Sequence, residues 1–227
     1  MRLSRFLLTL LIAIAAPSLA LAQKVEPVRP GDRTLGSADA PVTLTVYLST
    51  TCSHCAAWHT QDFPAFKARF VDTGQVRIAY RDLPTPPREV ALVGAVMARC
   101  AAEDRYDAVL DSLYHGHAQL FGPPGDPPHE AVVAWLSAAG QAGGLTQEQM
   151  NACFSDEASF TEVEARAAQS FADGVNGTPS FFLNGEPLPE TVVLHPIPDY
   201  DTYVFANVNG QRVLVDPGTR AVVEVIN

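Results

Sequence analysis

The sequence predicts an α/β fold in which a block of helices interrupts a small sheet and a strand-rich tail follows. Three apolar runs, at 42–48, 76–81 and 180–183, have the length and composition of buried strands. Residues 88–173, between the second and third runs, are almost free of strand-like sequence and rich in residues that favour helices. After residue 200 the pattern changes to short strand-like runs separated by Asn-Gly and Pro-Gly pairs. We therefore expect one sheet, an inserted helical block and an atypical β-rich tail.

Residues 1–22 have the organisation of a secretory signal peptide. Arg2 and Arg5 form a charged start, an apolar stretch follows over 6–16, and Ala20-Leu21-Ala22 is a small-x-small cleavage site. The apolar stretch is too short for a comfortable membrane span, and an uncleaved anchor is the less favoured alternative. We expect a mature chain that is exported to the periplasm, where disulfides persist.

The mature chain would be strongly acidic. Without the two arginines of the signal peptide it has 13 basic and 25 acidic residues, which gives a net charge of −12. This balance argues against nucleic acid and against anionic lipid as partners. It does not point to a particular substrate.

The chain divides into four predicted parts. The signal peptide covers 1–22, and the polar, Pro- and Gly-containing segment 23–39 is predicted to form a leader arm. The α/β domain is predicted over 40–189, with its helical insertion at about 88–173. Residues 190–227 form the β-rich tail, which either completes the sheet in an unusual way or is a separate appendage.

The first predicted strand leads directly into the motif Cys52-Ser53-His54-Cys55. A helix is predicted over 52–70, and Pro64 should kink it because proline lacks a backbone N–H. The motif therefore lies at a helix N-terminus, where free N–H groups and the helix dipole stabilise a thiolate. The three-residue spacing places both sulfurs on one face of the first turn, close enough to bond to each other.

The remaining elements follow in order. The second strand ends at a proline-rich turn, and four or five helices are predicted near 88–103, 105–120, 129–140, 146–154 and 156–172. Asn184-Gly185, a hairpin-type turn, closes the third strand. In the tail, strands are predicted at 203–208, 211–215 and 221–226.

Together these features resemble the thioredoxin fold, and most closely its DsbA-like branch, which carries a helical block between the second and third strands. The resemblance rests on five stretches in a specific order and spacing: 35–42, 52–55, 62–66, 71–77 and 177–185. It implies a protein thiol–disulfide oxidoreductase that needs no cofactor.

The resemblance also implies roles for individual residues. Cys52 would be the exposed nucleophile, and Cys55 the partner that closes the disulfide or resolves a mixed one. His54 lies between them and would favour the Cys52 thiolate as an imidazolium or as an N–H donor. Pro179 would be a cis-proline that faces the two sulfurs. The backbone of Thr178 would bind an extended substrate segment, as strand addition does.

The chain departs from the DsbA-like branch in two places. Some members carry a buried acidic residue six positions before the first cysteine, but this chain has Val46 there. No proton acceptor for Cys55 can therefore be named. The branch usually ends with a further strand and a helix, whereas this chain runs through a proline-rich linker into the β tail. The tail loosely resembles small β modules of uncharacterised bacterial exported proteins.

Two further cysteines, Cys100 and Cys153, lie in the helical block. In an oxidising compartment they invite a structural disulfide, which could add roughly 3–4 kcal/mol in the chain-entropy model. The alternative is two buried free thiols that act as small apolar residues. The sequence favours the disulfide and leaves both open.

The histidines are weaker candidates. His59 shares a helical face with Cys55, so that the two motif cysteines, His54 and His59 could hold a soft metal. A structural or surface role for His59 is favoured, and no metal site is predicted. His115 and His117 are predicted to be solvated.

The sequence thus predicts an exported oxidoreductase that oxidises cysteine pairs of secreted proteins through a Cys52–Cys55 disulfide. Its expected partners are unfolded or reduced secreted proteins, and the resemblance implies reoxidation by a quinone-linked membrane oxidase of the DsbB kind. A monomer is expected, and an isomerase is less favoured because the leader arm is too short for a dimerisation stalk. The main rival is a copper or other soft-metal chaperone that uses Cys52, Cys55 and a nearby histidine. A scaffold whose β tail is the working part is the third alternative.

Overall fold

The structure, a computed structural model, describes residues 25–121, 127–187, 195–197, 200–208, 211–215 and 222–226. The strands are β1 Arg33–Leu35, β2 Val42–Leu48, β3 Val76–Asp82, β4 Ser180–Leu183, β5 Glu186–Pro187, β6 His195–Ile197, β7 Tyr200–Val208, β8 Gln211–Val215 and β9 Val222–Ile226. The helices are α1 Ser53–Ala57, α2 Phe63–Phe66, α3 Arg88–Cys100, α4 Tyr106–Phe121, α5 His129–Ala142, α6 Gln147–Ser155 and α7 Glu157–Ala172, with a short 3₁₀ turn at Glu103–Arg105.

The first sheet has the strand order β1-β3-β2-β4-β5. The central pair, β2 and β3, is parallel and in register from Val42↔Val76 to Leu48↔Asp82. On its other side β2 pairs antiparallel with β4. All of α3 to α7 lies between β3 and β4 in the chain. The predicted fold class, a thioredoxin-like sheet with an inserted helical block, is confirmed.

One continuous helical segment follows β2 and carries the cysteine motif. It consists of α1, a π-helical turn at Trp58–Asp62, α2, and a second π-helical turn at Lys67–Val71. Pro64 lies at the start of α2, and the N–H of Phe63 just before it reaches back to the carbonyl of Trp58. A π turn is one way to accommodate a residue that cannot donate in the helix. The segment predicted over 52–70 therefore continues past the proline.

The larger core lies between one face of the sheet and the helices. Alternate residues of β2, namely Leu44, Val46 and Leu48, face this core. It also contains the fully buried Trp58 of the helical segment that carries the cysteine motif, here called the redox helix. Burying each such apolar side chain stabilises the fold by about 1.5–3 kcal/mol. This packing fixes the end of β2, and with it the start of the cysteine motif.

The segment predicted as a leader arm covers the opposite face of the sheet. Val25 is buried with Tyr47, Leu83, Val175 and Phe182 in a second, smaller cluster. Within the same segment, the strand β1 pairs antiparallel with β3 at the edge of the sheet. The folded sheet therefore includes residues that precede the predicted domain start at residue 40.

The predicted Asn-Gly hairpin turn is present between β4 and β5. Asn184 and Gly185 both have positive φ values, of 50° and 83°, as a type I′ turn requires. The carbonyl of Gly185 also accepts the N–H of Val25 at 2.7 Å. A Cβ at position 185 would lie 2.0 Å from the carbonyl oxygen of Val25, so the docked arm needs glycine here.

The strands of the tail form a second sheet. Their order is β6-β7-β8-β9, all pairs are antiparallel, and no strand is shared with the first sheet. The three strands predicted in the tail are present, and β6 is an additional one. Of the two alternatives for the tail, the described strands favour a sheet of its own.

Cys100 and Cys153 are joined by a disulfide that connects the end of α3 to α6, with a Cα–Cα distance of 6.0 Å. Both cysteines pack against the small cluster formed by Ala95, Val96 and Val163. The bond closes a sequence separation of 53 residues within the helical block. Loop-closure entropy is therefore the main stabilising contribution to expect from it.

Replacing both cysteines by alanine is expected to lower the free energy of unfolding by roughly 3–4 kcal/mol, because the unfolded chain regains the freedom of that loop. Urea denaturation of the variant and the parent, both with Cys52 and Cys55 reduced, measures the difference. Disulfide exchange by the folded variant serves as the control and should be unchanged. Equal stability of the two proteins would mean that the bond does not form in solution.

No helix in the described ranges is long and apolar enough to cross a membrane. The predicted signal peptide, residues 1–22, lies outside the described residues.

Candidate active site

Cys52 occupies the N-cap of α1, the position where a side chain can accept a helix N–H. Its sulfur accepts the N–H of Cys55 at 3.4 Å, so the sulfur takes the role that an oxygen of serine or aspartate has in most caps. Both motif cysteines are unbonded in the structure; Cys52 is partly exposed and Cys55 is buried. One sulfur can therefore be attacked from outside, and the other is protected beneath it.

The surroundings of the two sulfurs separate their pKa values. A hydrogen bond from the Cys55 thiol lowers the pKa of Cys52 to about 5, with further help from the side chain of Thr178 and from the N–H groups of Cys55 and His54, although burial opposes the shift. Burial raises the pKa of Cys55 well above its ordinary value, and the neighbouring Cys52 adds to the effect. At neutral pH the pair therefore holds one proton, on Cys55, and one reactive thiolate, on Cys52.

Thr178 and Pro179 lie opposite the motif, as predicted from the resemblance. The peptide bond between them is cis. The carbonyl oxygen of Thr178 lies 3.2 Å from the sulfur of Cys52, which can donate to it as a thiol. Residues that precede β4 in the chain are thus in direct contact with the nucleophile.

His54, inside the motif, is exposed. Its contribution to the Cys52 thiolate comes from its backbone N–H. His59 is buried, with its ring against Phe63 and Tyr114 and its Nε2 3.7 Å from a carboxylate oxygen of Asp111. Trp58, three residues after Cys55, is fully buried in the core and does not border the site. In the described ranges no three or more His, Cys, Asp or Glu side chains gather where they could hold a metal ion.

The prediction that His117 is solvated is wrong. Its ring is buried, and its Nε2 lies 3.0 Å from the carbonyl oxygen of Thr51, the residue before the nucleophile. His115, two positions earlier, is exposed as predicted. The sequence did contain a signal, because Tyr114 and His117 are three residues apart and share a helix face with the apolar Leu110 and Leu113.

Position 46 is fully buried and apolar. Its register partner on β3 is Tyr80, whose hydroxyl donates to Asp107 at 2.7 Å. The pKa of Tyr80 is raised by burial and by Asp107, so this phenol stays protonated. Neither residue supplies a proton acceptor for Cys55, and the acceptor within reach is the Cys52 thiolate itself.

Alkylation of the reduced protein is expected to depend on pH through Cys52. Because the pKa of this thiol is about 5, the rate with iodoacetamide should be constant from pH 9 down to about pH 6 and fall below that.

The same lowered pKa implies that the reduced protein loses stability relative to the oxidised protein as the pH falls from 9 towards 5.

Mass spectrometry of quenched samples, with glutathione as the reference thiol, measures the alkylation rates. The glutathione rate should decline from near pH 9, since an unperturbed thiol has a pKa of about 8.5. Parallel profiles for the two thiols would contradict the stabilised thiolate.

A parallel strand pair that ends in a Cys-x-x-Cys helix start, with a cis-proline opposite, defines a redox domain of the thioredoxin class. A family model described as thioredoxin matches residues 29–193, and the chain therefore belongs to this family. A second model, described as a domain of unknown function (DUF1236), matches residues 181–227, which include the whole tail.

Several relatives of this chain are named for disulfide chemistry. A Rickettsia bellii protein whose name is protein-disulfide oxidoreductase is 28% identical over 166 residues, which are 68% of this chain and 57% of the relative. Disulfide bond formation protein D of Bacillus subtilis is 24% identical over 178 residues, covering 78% of this chain and 75% of the relative. The chain spans a little over half the length of the Rickettsia relatives it matches.

Solved structures share the fold. Alpha-DsbA1 of Wolbachia pipientis has a TM-score of 0.60 and 23% identity, over 68% of this chain and 75% of that one. Protein-disulfide isomerase of Novosphingobium aromaticivorans has a TM-score of 0.58 and 22% identity, over 75% of this chain and 92% of that one. These similarities identify the DsbA-like form of the thioredoxin fold.

Proposed function

We propose that this protein is an exported thiol–disulfide oxidoreductase that oxidises cysteine pairs of other exported proteins. The observation that carries the proposal is the division of labour between the two sulfurs. Cys52 is an accessible thiolate at a helix N-cap, and Cys55 is a buried thiol beneath it. Stabilising the thiolate stabilises the reduced protein, so the corresponding disulfide is a strong oxidant.

The reaction begins with the oxidised pair. A substrate thiolate attacks the sulfur of Cys52, a substrate–Cys52 bond forms, and the Cys52–Cys55 bond breaks. Cys55 leaves as a thiolate and takes up a proton, in keeping with its raised pKa. A second substrate thiolate then attacks the substrate sulfur of the mixed disulfide and releases Cys52 as a thiolate. Two electrons pass from the substrate to the pair, and the substrate gains a disulfide.

Thr178 and Pro179 are proposed to bind the substrate segment around its reacting cysteine. Their proximity to Cys52 supports this role, since the carbonyl of Thr178 is 3.2 Å from the reacting sulfur. As a thiolate, in the mixed disulfide and in the disulfide, Cys52 carries no thiol proton, so that carbonyl is free to accept a backbone N–H of an extended peptide. The exposed His54 borders the same opening.

Export and partners belong to the proposal as well. The charged start, apolar stretch and small-x-small site of residues 1–22 support export. Turnover requires that the reduced pair be oxidised again, and we propose a quinone-linked membrane oxidase of the DsbB kind for this step. The names of the relatives, protein-disulfide oxidoreductase and disulfide bond formation protein D, support the reaction class. The soft-metal chaperone has no comparable support, since the described residues gather no set of three metal ligands.

The test is the redox equilibrium of the mature protein in glutathione buffers, with thiols trapped by alkylation and counted by mass for each cysteine. Cys52 and Cys55 should titrate together at a potential near or above that of glutathione. If the pair stays oxidised until much more reducing conditions, it is structural or works as a reductant, and the oxidase proposal fails. Stoichiometric metal that is retained after desalting and lost in Cys52→Ser would instead favour the chaperone.

A further inference from the structure

Helix α4 directs a row of polar side chains towards the residues around the cysteine motif, from Ser49 to His59. Asp111, Tyr114 and His117 follow one another at three-residue intervals, which places them along one side of the helix. Asp111 approaches Nε2 of His59, and the hydroxyl of Tyr114 donates to the carbonyl of Ser49 at 3.2 Å. His117 contacts the carbonyl of Thr51. The thiol–disulfide chemistry proposed above uses none of these three side chains.

One of these contacts, that of His117, acts directly on the peptide group between Thr51 and Cys52. Its C=O faces Nε2 of His117 at 3.0 Å. Its N–H donates to the carbonyl of Ser49 at 3.2 Å, and that carbonyl is the one that also accepts from Tyr114. Because a peptide group is planar, holding both its C=O and its N–H fixes its orientation. The peptide that leads into the nucleophile is thus held by His117 at its C=O, and its N–H is held by a carbonyl to which Tyr114 also donates.

The contact also requires a hydrogen on one particular ring nitrogen of His117. A carbonyl oxygen only accepts hydrogen bonds, so Nε2 of His117 must carry a hydrogen and donate it. His117 is 8% exposed and packs against the ring of Phe121, so water has little access to replace the bond. Without this donor the carbonyl of Thr51 would lose a partner in the interior, and the peptide could turn to find another.

The orientation of this peptide bears directly on Cys52. The sulfur accepts the N–H of Cys55 and is influenced by the N–H of His54, and both contacts depend on where the backbone places Cys52. The side chain of Thr51 is held separately, since its hydroxyl donates to the carbonyl of Thr85 at 3.0 Å. His117 is therefore the side chain that holds the carbonyl end of the peptide, and an aliphatic residue in its place could not do so.

We propose that His117 is a positioning residue of the redox reaction. By donating Nε2–H to the carbonyl of Thr51, it fixes the Thr51–Cys52 peptide and keeps the Cys52 sulfur against the first-turn N–H groups. The helical block then takes part in setting the oxidising strength of the pair. This inference rests on the proposed function, because it concerns the same two sulfurs.

The test compares three variants: His117→Leu, His117→Gln and His115→Leu. His117→Leu should shift the equilibrium with glutathione about fivefold towards the disulfide form, the equivalent of one hydrogen bond. His117→Gln retains an N–H donor at a similar reach and should behave like the parent. His115 lies on the same helix with a side chain 61% exposed, so His115→Leu is the matched control and should leave the equilibrium unchanged. Thiolate absorbance at 240 nm gives the titration of Cys52 in each variant.

A folded His117→Leu protein with the parent's potential and thiolate titration would overturn the inference. An equal shift of the glutathione equilibrium in His117→Gln would also overturn it. The shift would then follow from any replacement of the ring and not from the loss of the N–H donor. If His117→Leu does not fold, nitrogen NMR of the parent protein still decides, since the Nδ1–H tautomer would exclude the donated bond. A parent protein that does not exchange with glutathione would instead reject the proposed function, and the thiolate titration would still test His117.

Discussion

Replacing Cys52 by serine is expected to abolish disulfide exchange, and replacing Cys55 by serine to stop the reaction one step later. Cys52 carries the accessible thiolate, and without it the remaining thiol is buried and protonated. A reduced protein given a disulfide runs the exchange in reverse: the Cys52 thiolate attacks the disulfide, and Cys55 then attacks Cys52 and releases the bound partner. In Cys55→Ser the nucleophile remains, but this second step is lost. This variant should therefore accumulate a mixed disulfide at Cys52, whereas Cys52→Ser should form none.

The measurement uses a peptide that contains one disulfide, added to each reduced variant, with the products identified by mass. The double variant Cys100→Ala/Cys153→Ala, which lacks the two cysteines outside the motif, is the control, and it should exchange like the parent. Exchange by Cys52→Ser at the parent's rate would mean that Cys55 is accessible, against its burial within α1. Both variants should lose turnover completely, so these effects are the largest expected for the reaction.

The elements that build the redox site could be predicted because their signals are local. The apolar run of β2 and the Cys-x-x-Cys spacing lie within one short stretch of sequence, and the Asn-Gly turn marks the end of β4. The helix-favouring composition of the block, with the glycines and prolines that divide it, indicated its helices to within a few residues. A cis bond at Pro179 is different, because an X-Pro bond is trans by default. Only the family resemblance indicated it.

The polar contacts that hold the site could not be predicted in the same way. His117 and Thr51 are 66 residues apart in sequence, and their contact depends on how α4 packs against the redox helix. The docking of the arm depends likewise on the pairing of Val25 with Gly185, which no local pattern reveals. A polar, proline-containing segment before the first strand is typical of a linker, and its buried residues are few. Contacts of this kind are set by tertiary packing.

The boundary between the domain and the tail is also not a simple division. The thioredoxin match ends at residue 193, while the second family match begins at residue 181, inside β4. The β4–β5 hairpin therefore lies within both matches. β4 pairs with β2, and β2 leads into the cysteine motif. The tail therefore follows, in sequence, a strand that lies beside the one leading into the site. A deletion that is meant to remove the tail should retain the hairpin and start after Pro187.

Replacing Asp173 by alanine is expected to give the largest loss of stability, about 3–5 kcal/mol, because the Arg29 guanidinium and the buried Tyr47 hydroxyl lose the carboxylate that accepts from them. The carboxylate of Asp173 accepts hydrogen bonds from both terminal guanidinium nitrogens of Arg29 at 2.6 Å and from the hydroxyl of Tyr47 at 2.7 Å. Arg81 donates to the same hydroxyl and is paired with Asp32. The network joins the arm, the sheet and the end of α7 on the face opposite the larger core.

The pH dependence of this contribution follows from the pKa of Asp173. Burial favours the protonated acid, but hydrogen bonds from Arg29, Tyr47 and Gln169 outweigh it and hold the pKa below its ordinary value. A carboxyl group with a lowered folded pKa stabilises the protein above its unfolded pKa, and the stabilisation is lost as the pH falls through the folded value. The parent protein should therefore lose more stability on acidification than Asp173→Asn does.

Urea denaturation at neutral and acidic pH measures both effects. Arg88→Ala is the matched control, since it breaks an ion pair with Glu164 in which both side chains are more than 40% exposed. Such an exposed pair should contribute about 1 kcal/mol or less. If Asp173→Ala and Arg88→Ala lower the free energy of unfolding equally, the buried network does not hold the arm on the sheet. The arm would then have to dock through Val25 and β1 alone. A cost several times larger for Asp173→Ala would instead make residues 25–32 an integral part of the redox domain.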